Sequence, residues 1–404
     1  MRVAGGDVRF PALRHRNFRL YAVGQLASIG GTWMQNVAMS WLVLELTRSG
    51  KAVGLVSAAL FIPSLALGAW AGTVADRFDA RRAVLWLQIL LGLQAAVLAV
   101  VVFAKAETLW LLVLLALWNG VGGAFDRPVR QTLINELVGD AELPNAIATN
   151  SALVQLGLIA GPAVGAVLID QAGIGWCFAV NAASYVVLYV AIAVIRPADM
   201  VPRPRPAEGD QSVAAGLRHL RTRPDLRLLL VTLGLASLLA FRVDVLVPIL
   251  AKDLGGSAGL LAALTVVRGV GALGASLFLA SRFGAPSFTL LRNALVVLGA
   301  ALVLMSIPNR AVALVASLPV GAAFMAAVVC LLSLTQLLAE VDYRGRIVAV
   351  WFVVLSAGVV AGSLLAGALA DWIGSRATIV CGAVSLAAIA WMVTASSAEG
   401  AGAA

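Results

Sequence analysis

Long apolar runs recur along almost the whole of this chain. They cover residues 18–47, 52–75, 83–104, 108–134, 145–169, 174–195, 226–250, 259–281, 287–307, 311–338, 346–370 and 376–395. A helix needs about 20 apolar residues to cross a hydrocarbon core of about 30 Å. With 61% hydrophobic and 12% charged residues, the chain carries more apolar surface than a soluble fold buries. We therefore predict an all-α membrane protein with twelve transmembrane helices.

The positive charges are distributed unevenly between the connections. Of the Lys and Arg residues, 21 belong to the N-terminal segment and the even-numbered connections, and only six to the odd-numbered ones. Positively charged connections stay in the cytoplasm, so this asymmetry predicts a multi-pass protein of a bacterial cytoplasmic membrane with both termini inside. The net charge of +9 is scattered over short loops rather than gathered in one patch. We therefore expect the lipid bilayer as a partner, and no nucleic acid.

The chain divides into two similar halves. Residues 196–225 are rich in Pro and Arg, lack an apolar run, and predict a cytoplasmic linker between bundles at 1–195 and 226–404, the second ending in a short cytoplasmic tail. An internal repeat at an offset of 201 matches Gly157, Gly161, Asp170 and Gly173 with Gly358, Gly362, Asp371 and Gly374. Such repeats predict two pseudo-symmetric six-helix bundles, with a substrate site where they meet.

A charged loop joins spans 2 and 3. It contains Gly72, Asp76, Arg77, Arg81 and Arg82, and resembles the signature loop of the major facilitator superfamily. The resemblance implies the major facilitator fold and a gating role for the loop, with charges that latch the cytoplasmic face. The family's usual glycine is replaced here by aspartate at position 79. A simple positive-inside anchor is the alternative.

Span 5 carries a second motif. Gly157, Gly161, Pro162 and Gly165 resemble the Gly-Pro motif of the superfamily's antiporters, which goes with export in that family. Small residues four apart also let helices approach closely, so ordinary packing is the alternative.

The inner end of span 4 carries the family-like pair Asp126 and Arg127. With the two motifs, this pair makes the chain similar to the third drug:proton antiporter group, which includes enterobactin-type siderophore exporters and macrolide and multidrug efflux proteins. Many proton-coupled members have an arginine in the middle of span 4, at a position that is Ala116 here. Proton coupling in this chain would need other residues.

Three ionisable residues lie inside predicted spans: Arg242, Asp244 and Arg268. A charge in the hydrocarbon costs at least about 2.5 kcal/mol and usually marks a function or a pair. Asp244 and Arg268 lie at similar depths, about 9 and 14 Å from the predicted outer ends of their helices. We predict that they pair, and that protonation of Asp244 releases Arg268. A static structural pair is the alternative.

Span 1 carries a polar stripe of Gln25, Ser28, Thr32, Gln35 and Asn36, and span 4 carries Asn119. Spacings of three and four place the stripe on one helix face. In the family, spans 1, 4, 7 and 10 line the cavity, so the resemblance implies cavity positions for these residues. Hydrogen bonding between helices is the alternative.

Together these features predict a secondary active transporter. It would export an amphipathic or lipophilic small molecule, such as a drug, a siderophore or a secondary metabolite, by alternating access as a proton antiporter, and it would act as a monomer. No phosphate-binding loop of the Gly-Lys-Ser/Thr type occurs, so we expect no cofactor and a proton gradient as the energy source. The spans hold no cluster of His, Cys, Asp or Glu, so neither an enzyme nor a metal site is predicted. An importer or uniporter of the same fold and a non-transporting scaffold are the alternatives.

Overall fold

The computed structural model describes residues 11–139, 141–201, 220, 223–240, 242–282, 286–340 and 343–402, and this part of the chain contains no strand. Its α-helices are Arg16–Thr47 (α1), Gly50–Arg77 (α2), Ala80–Phe103 (α3), Leu109–Val138 (α4), Leu143–Gln171 (α5), Gly175–Ala193 (α6), Pro224–Leu239 (α7), Val243–Asp253 (α8), Ala258–Arg282 (α9), Phe288–Met305 (α10), Arg310–Leu338 (α11), Arg344–Ile373 (α12) and Ser375–Gly402 (α13).

The helices account for twelve spans. Within the described residues, eleven stretches are long and apolar enough to cross a membrane, and one of them combines α7 and α8. The helix α1 is not among them, because the polar stripe lowers its hydropathy. It is nevertheless 32 residues long and packs against α2, α5 and α6. Counting α1 gives the predicted twelve.

Span 7 differs from the prediction of one helix over residues 226–250. The helix α7 ends at Leu239, and α8 begins at Val243. Between them Arg242 has φ −92° and ψ 34°, which is not helical. Two residues that are two apart on a continuous helix point in different directions. The break removes this restriction for Arg242 and Asp244.

Matching glycines of the internal repeat pack against equivalent helices. A Cβ atom added to Gly161 of α5 would lie 3.0 Å from the backbone nitrogen of Met34 in α1. A Cβ atom added to Gly362 of α12 would lie 2.6 Å from the carbonyl oxygen of Ser237 in α7. The fifth span of each half therefore crosses the first at very short range, and only glycine permits this distance.

The two halves meet along two helix pairs. The helix α2 packs against α12, and α5 packs against α9. The helix α6 ends at Ala193 and α7 begins at Pro224, but residues 202–219 of the predicted linker lie outside the described part of the chain. The boundaries at 196 and 226 therefore stay a prediction.

Candidate transport cavity

A cavity of about 340 Å³ lies between the two halves. Its walls come from α1, α2 and α4 on one side and from α8, α9 and α12 on the other, together with Arg242. The tenth span, α11, contributes none of the lining residues, unlike the family pattern. Instead α11 packs closely behind α9, where a Cβ atom at Gly271 would lie 3.1 Å from the Ala322 nitrogen.

The polar stripe of α1 is split between the cavity and the interior of its own half. Thr32 and Asn36 line the cavity, as does Asn119 of α4. Gln25, Ser28 and Gln35 do not line it, and all three are buried. The spacing of the stripe predicts correctly that its residues share one face of α1. This face is wide enough to contact both the cavity and the neighbouring helices.

Buried amides tie α1, α3, α4 and α6 together behind the cavity wall. Gln35 donates to Gln94 at 3.2 Å and accepts from Asn181 at 2.9 Å. Asn119 also donates to the Gln94 side-chain oxygen, at 3.2 Å. Each of these four amides thus has a hydrogen-bond partner, which offsets the cost of burying it. This network holds Asn119 in place at the cavity wall.

Asp126 and Arg127 lie in the wall of the cavity. We expected them at the inner end of span 4, but α4 continues for twelve residues beyond Asp126, to Val138. Arg130, one turn further on, donates to Asp126 at 2.5 Å and also hydrogen-bonds the side chain of Gln25. It is only 8% exposed. Arg130 was missed as a site residue, although the spacing of four from Asp126 is typical of a helical ion pair.

The predicted pair of Asp244 and Arg268 is formed. Arg268 donates from Nη2 to Asp244 Oδ1, and both residues line the cavity. The Asp244 side chain is 51% exposed and that of Arg268 is 17% exposed. The pair therefore joins the start of α8 to the middle of α9 while its carboxylate faces open space. Release of Arg268 on protonation stays a prediction.

Arg242 has no such partner. It is 7% exposed, and its Nε atom is buried without a hydrogen bond among the described residues. Its guanidinium lies 5.7 Å from the centre of the Phe61 ring of α2, in the other half. In this cation–π contact, the Phe61 ring attracts the Arg242 guanidinium across the cavity.

The halves are also joined by a contact near the end of α12 that the sequence did not reveal. Asp371, near the end of α12, accepts hydrogen bonds from the Gly50 nitrogen at 2.5 Å, the Lys51 nitrogen at 3.1 Å and Ser49 Oγ at 2.7 Å. The carboxylate therefore caps the first turn of α2 from the opposite half. We call this contact the Asp371 latch, and the end of the molecule where it lies the latch end.

A second hydrogen bond joins the halves at the latch end. Lys252 Nζ donates to the Leu44 carbonyl oxygen at 3.4 Å. The other side of the molecule, where α1 begins, holds no hydrogen bond between the halves among the described residues. Among the described residues, the hydrogen bonds that join the halves thus lie at the latch end.

The predicted gating loop is described only in part. The surroundings of Gly72 and of the Asp76 side chain are not among the described features, and Arg77 is exposed at the end of α2. Asp79, which replaces the family's glycine, caps α3 by accepting from the Arg82 nitrogen at 2.7 Å.

Arg81 of the same loop donates to the carbonyl oxygens of Ile192 and Ala193 at 3.1 and 2.8 Å. It therefore caps the end of α6 in its own half, where a cation suits the helix dipole. The gating role of the loop stays a prediction.

The span 5 motif packs α5 onto α1. Gly157, Gly161 and Gly165 face Ile29, Gly30, Trp33 and Met34, and Pro162 is buried within the helix. None of the four motif residues lines the cavity. A role in setting the crossing of α1 and α5 is consistent with these contacts, and the link to export stays a prediction.

Comparison with known proteins agrees with this architecture. The family model described as transmembrane secretion effector matches residues 8–400. The chain belongs to this family. Transmembrane secretion effectors of this kind are transporters of the major facilitator superfamily, not enzymes.

Among known relatives, the multidrug efflux pump Tap of Mycolicibacterium fortuitum is 29% identical over 368 residues, covering 88% of this chain and 89% of Tap. The staphyloferrin A transporter of Staphylococcus aureus is 25% identical over 143 residues, covering 34% of this chain and 35% of the transporter. The relatives thus carry names of efflux pumps and of a siderophore transporter.

A solved structure supports the fold. A bacterial homologue of the human lysosomal transporter Spinster, in an inward-facing and occupied conformation, superposes with a TM-score of 0.75 at 16% identity. The match covers 97% of this chain and 98% of that one. This transmembrane secretion effector therefore has the major facilitator fold of two six-helix bundles.

Proposed function

We propose that this transporter exports an amphipathic or lipophilic small molecule in exchange for protons, acting as a monomer in a bacterial cytoplasmic membrane. The observation that carries the proposal is the Asp244–Arg268 pair, which lies in the cavity wall with its carboxylate half-exposed. The names of the efflux-pump relatives support export.

The orientation follows from the positive charges. With 21 basic residues on the side of the termini and six on the other, the termini and the linker lie in the cytoplasm. In this proposal the latch end is extracellular, and the cavity opens toward the cytoplasm. A substrate would enter from inside, and opening of the latch end would release it outside.

Asp244 is suited to couple this motion to protons. While it is charged, it holds Arg268 and so joins α8 to α9. A proton would remove the negative charge, and Arg268 would then lose its partner inside the membrane. The two helices could separate, which is the kind of bistable element that alternating access needs.

The test is proton movement in proteoliposomes that contain the purified protein. An imposed pH gradient is challenged with a panel of macrolides, tetracyclines, lipophilic cations and siderophores. A compound that dissipates the gradient only with active protein establishes antiport. We expect Asp244→Asn to abolish the coupled proton flux, whereas Asp170→Asn, which changes an exposed carboxylate at the end of α5, keeps it.

The outcomes separate the alternatives. Wild-type proton flux in Asp244→Asn would refute the coupling role of this residue. Substrate uptake into vesicles without any gradient would favour a uniporter or importer of the same fold.

A further inference from the structure

The charges of the cavity wall do not balance. Its acidic residues are Asp126 and Asp244, and its basic residues are Arg127, Arg242 and Arg268. Each carboxylate already has an arginine partner, because Asp126 binds Arg130 and Asp244 binds Arg268. Among the described residues, Arg127 and Arg242 are left without a carboxylate. Each acid in this wall is therefore already paired with an arginine, although Asp126 Oδ1 accepts no hydrogen bond among the described residues.

Arg242 is the more buried of the two and lies deep in the membrane. It precedes the end of α8 at Asp253 by eleven residues, which places it about 16 Å from that end. Only 7% of its surface is exposed, and its Nε atom has no hydrogen-bond partner among the described residues. A buried charge inside a membrane protein calls for a counter-charge, and the described part of the protein supplies none in contact with Arg242.

The geometry around Arg242 leaves its two Nη groups without a partner among the described residues, and they are not among the buried atoms, whereas Nε is. The Phe61 ring contacts the guanidinium at 5.7 Å, an arrangement that attracts the cation without using its N–H groups. On the other side, Gly362 makes room for the arginine stem, because a Cβ atom there would lie 2.9 Å from Arg242 Cγ. The two Nη groups can accordingly bind the two oxygens of a carboxylate or phosphate through parallel hydrogen bonds.

The rest of the wall suits the remainder of such a molecule. Trp33, Phe61 and Phe352 present aromatic surface to the cavity, and Thr32, Asn36 and Asn119 present neutral polar groups. Aromatic surface with a few polar groups is typical of sites for amphipathic small molecules.

We propose that the substrate of this transporter is an amphipathic anion whose acidic group binds Arg242, with Arg127 attracting it near the cavity mouth. This inference rests on the proposed transport function and narrows its substrate class. A free inorganic anion could form the same hydrogen bonds with Arg242, so the test must distinguish an organic anion from an inorganic one.

The test compares three probes on one pyrene scaffold: 1-pyrenebutyrate, 1-pyrenebutanol and pyrenebutyl-trimethylammonium. Binding to the full-length purified protein is measured by equilibrium dialysis. We expect the anion to bind at least tenfold more tightly than the cation. Arg242→Gln should weaken the anion about tenfold and leave the alcohol unchanged, and Arg242→Lys should restore part of the affinity. Arg292→Gln, at a half-buried position of α10 that does not line the cavity, is the matched control and should change nothing.

Competition with chloride and phosphate distinguishes the sources. If pyrenebutyrate is displaced only at salt concentrations high enough to screen all charges, the result supports an organic anion as the occupant. If chloride or phosphate displaces it at low concentration, the result overturns the proposal in favour of an inorganic anion site. Equal or tighter binding of the cation, or an unchanged anion affinity in Arg242→Gln, also overturns it.

Transport of the same probes separates this inference from the proposed function. Export of the cation in preference to the anion would refute the anion site and leave the transport function standing. Arg242-dependent binding of the anion without transport of any probe would support the site and refute the proposed export function.

Discussion

We predict that weakening the Asp371 latch makes the latch end open more often. Asp371→Asn removes the negative charge and replaces one of the two accepting oxygens with an amino group, which cannot accept from the backbone nitrogens of α2. Loss of a helix cap costs about 0.5–2 kcal/mol, and loss of a charge at a helix N-terminus costs about 0.3–1 kcal/mol. Because Asp371 is exposed to solvent, the lower part of this range applies.

A cost of about 1 kcal/mol shifts a two-state equilibrium about fivefold. The closed arrangement alone contains the latch, so the variant should raise the fraction of molecules that are open at the latch end by this factor. Ser49→Ala, which removes only the hydroxyl donor, should have a smaller effect in the same direction.

The assay measures access to the cavity from the latch end. Ser40, which lines the cavity near the end of α1, is changed to cysteine in a background in which Cys177, Cys330 and Cys381 are replaced. A membrane-impermeant thiosulfonate is added to intact cells, because the latch end is proposed to be extracellular. When opening is rapid, the rate of modification is proportional to the open fraction, and we expect it to rise about fivefold.

The internal repeat supplies the control. Asp170 matches Asp371 in the other half, but it is exposed and forms no hydrogen bond among the described residues. Asp170→Asn should therefore leave the rate unchanged. An unchanged rate in Asp371→Asn, or an equal rise in both variants, would refute the role assigned to the latch.

Two further predictions concern stability in detergent. Gly161→Ala forces a methyl group against the α1 backbone, so it should destabilise the protein by about 1–3 kcal/mol and lower the midpoint of thermal unfolding. The control Gly274→Ala places its methyl group where no atom lies within 4 Å, so it should not lower the midpoint. Equal midpoints for the two variants would contradict the packing argument. Asp126→Ala leaves Arg130 buried without its carboxylate and should cost about 3 kcal/mol, while the double variant Asp126→Leu with Arg130→Met should recover part of the loss. A double variant less stable than the single one would count against an unpaired charge as the cause.

The sequence predicted the features that depend on local pattern and depth. Apolar runs of about twenty residues define spans because the bilayer thickness is fixed. The pairing of Asp244 with Arg268 followed from their similar depths on adjacent spans, since a charge at that depth needs a partner. Both predictions use only the distance along a helix, which the sequence contains directly.

Other features depend on which helices meet, and they could not be predicted. The break at Arg242 leaves no proline or glycine signal at the break itself. Gln25 and Thr32 belong to one stripe, yet one binds Arg130 and the other faces the cavity. The Asp371 latch involves backbone amides some 320 residues away, and backbone amides have no sequence signature.

The difference between Asp170 and Asp371 has a consequence for alternating access. Two identical halves would form the same contact at both helix pairs, α2 with α12 and α5 with α9, and the latch end would then be held twice. At the start of α9, the Ser257 hydroxyl accepts a hydrogen bond from the Gly259 nitrogen at 3.2 Å, so the residue that caps this helix comes from the same half. Among the described residues, an ionic cap therefore occurs at the α2–α12 pair and not at the α5–α9 pair. In the proposed transport cycle, opening at the latch end would therefore break one carboxylate cap together with the longer Lys252–Leu44 hydrogen bond, rather than two carboxylate caps.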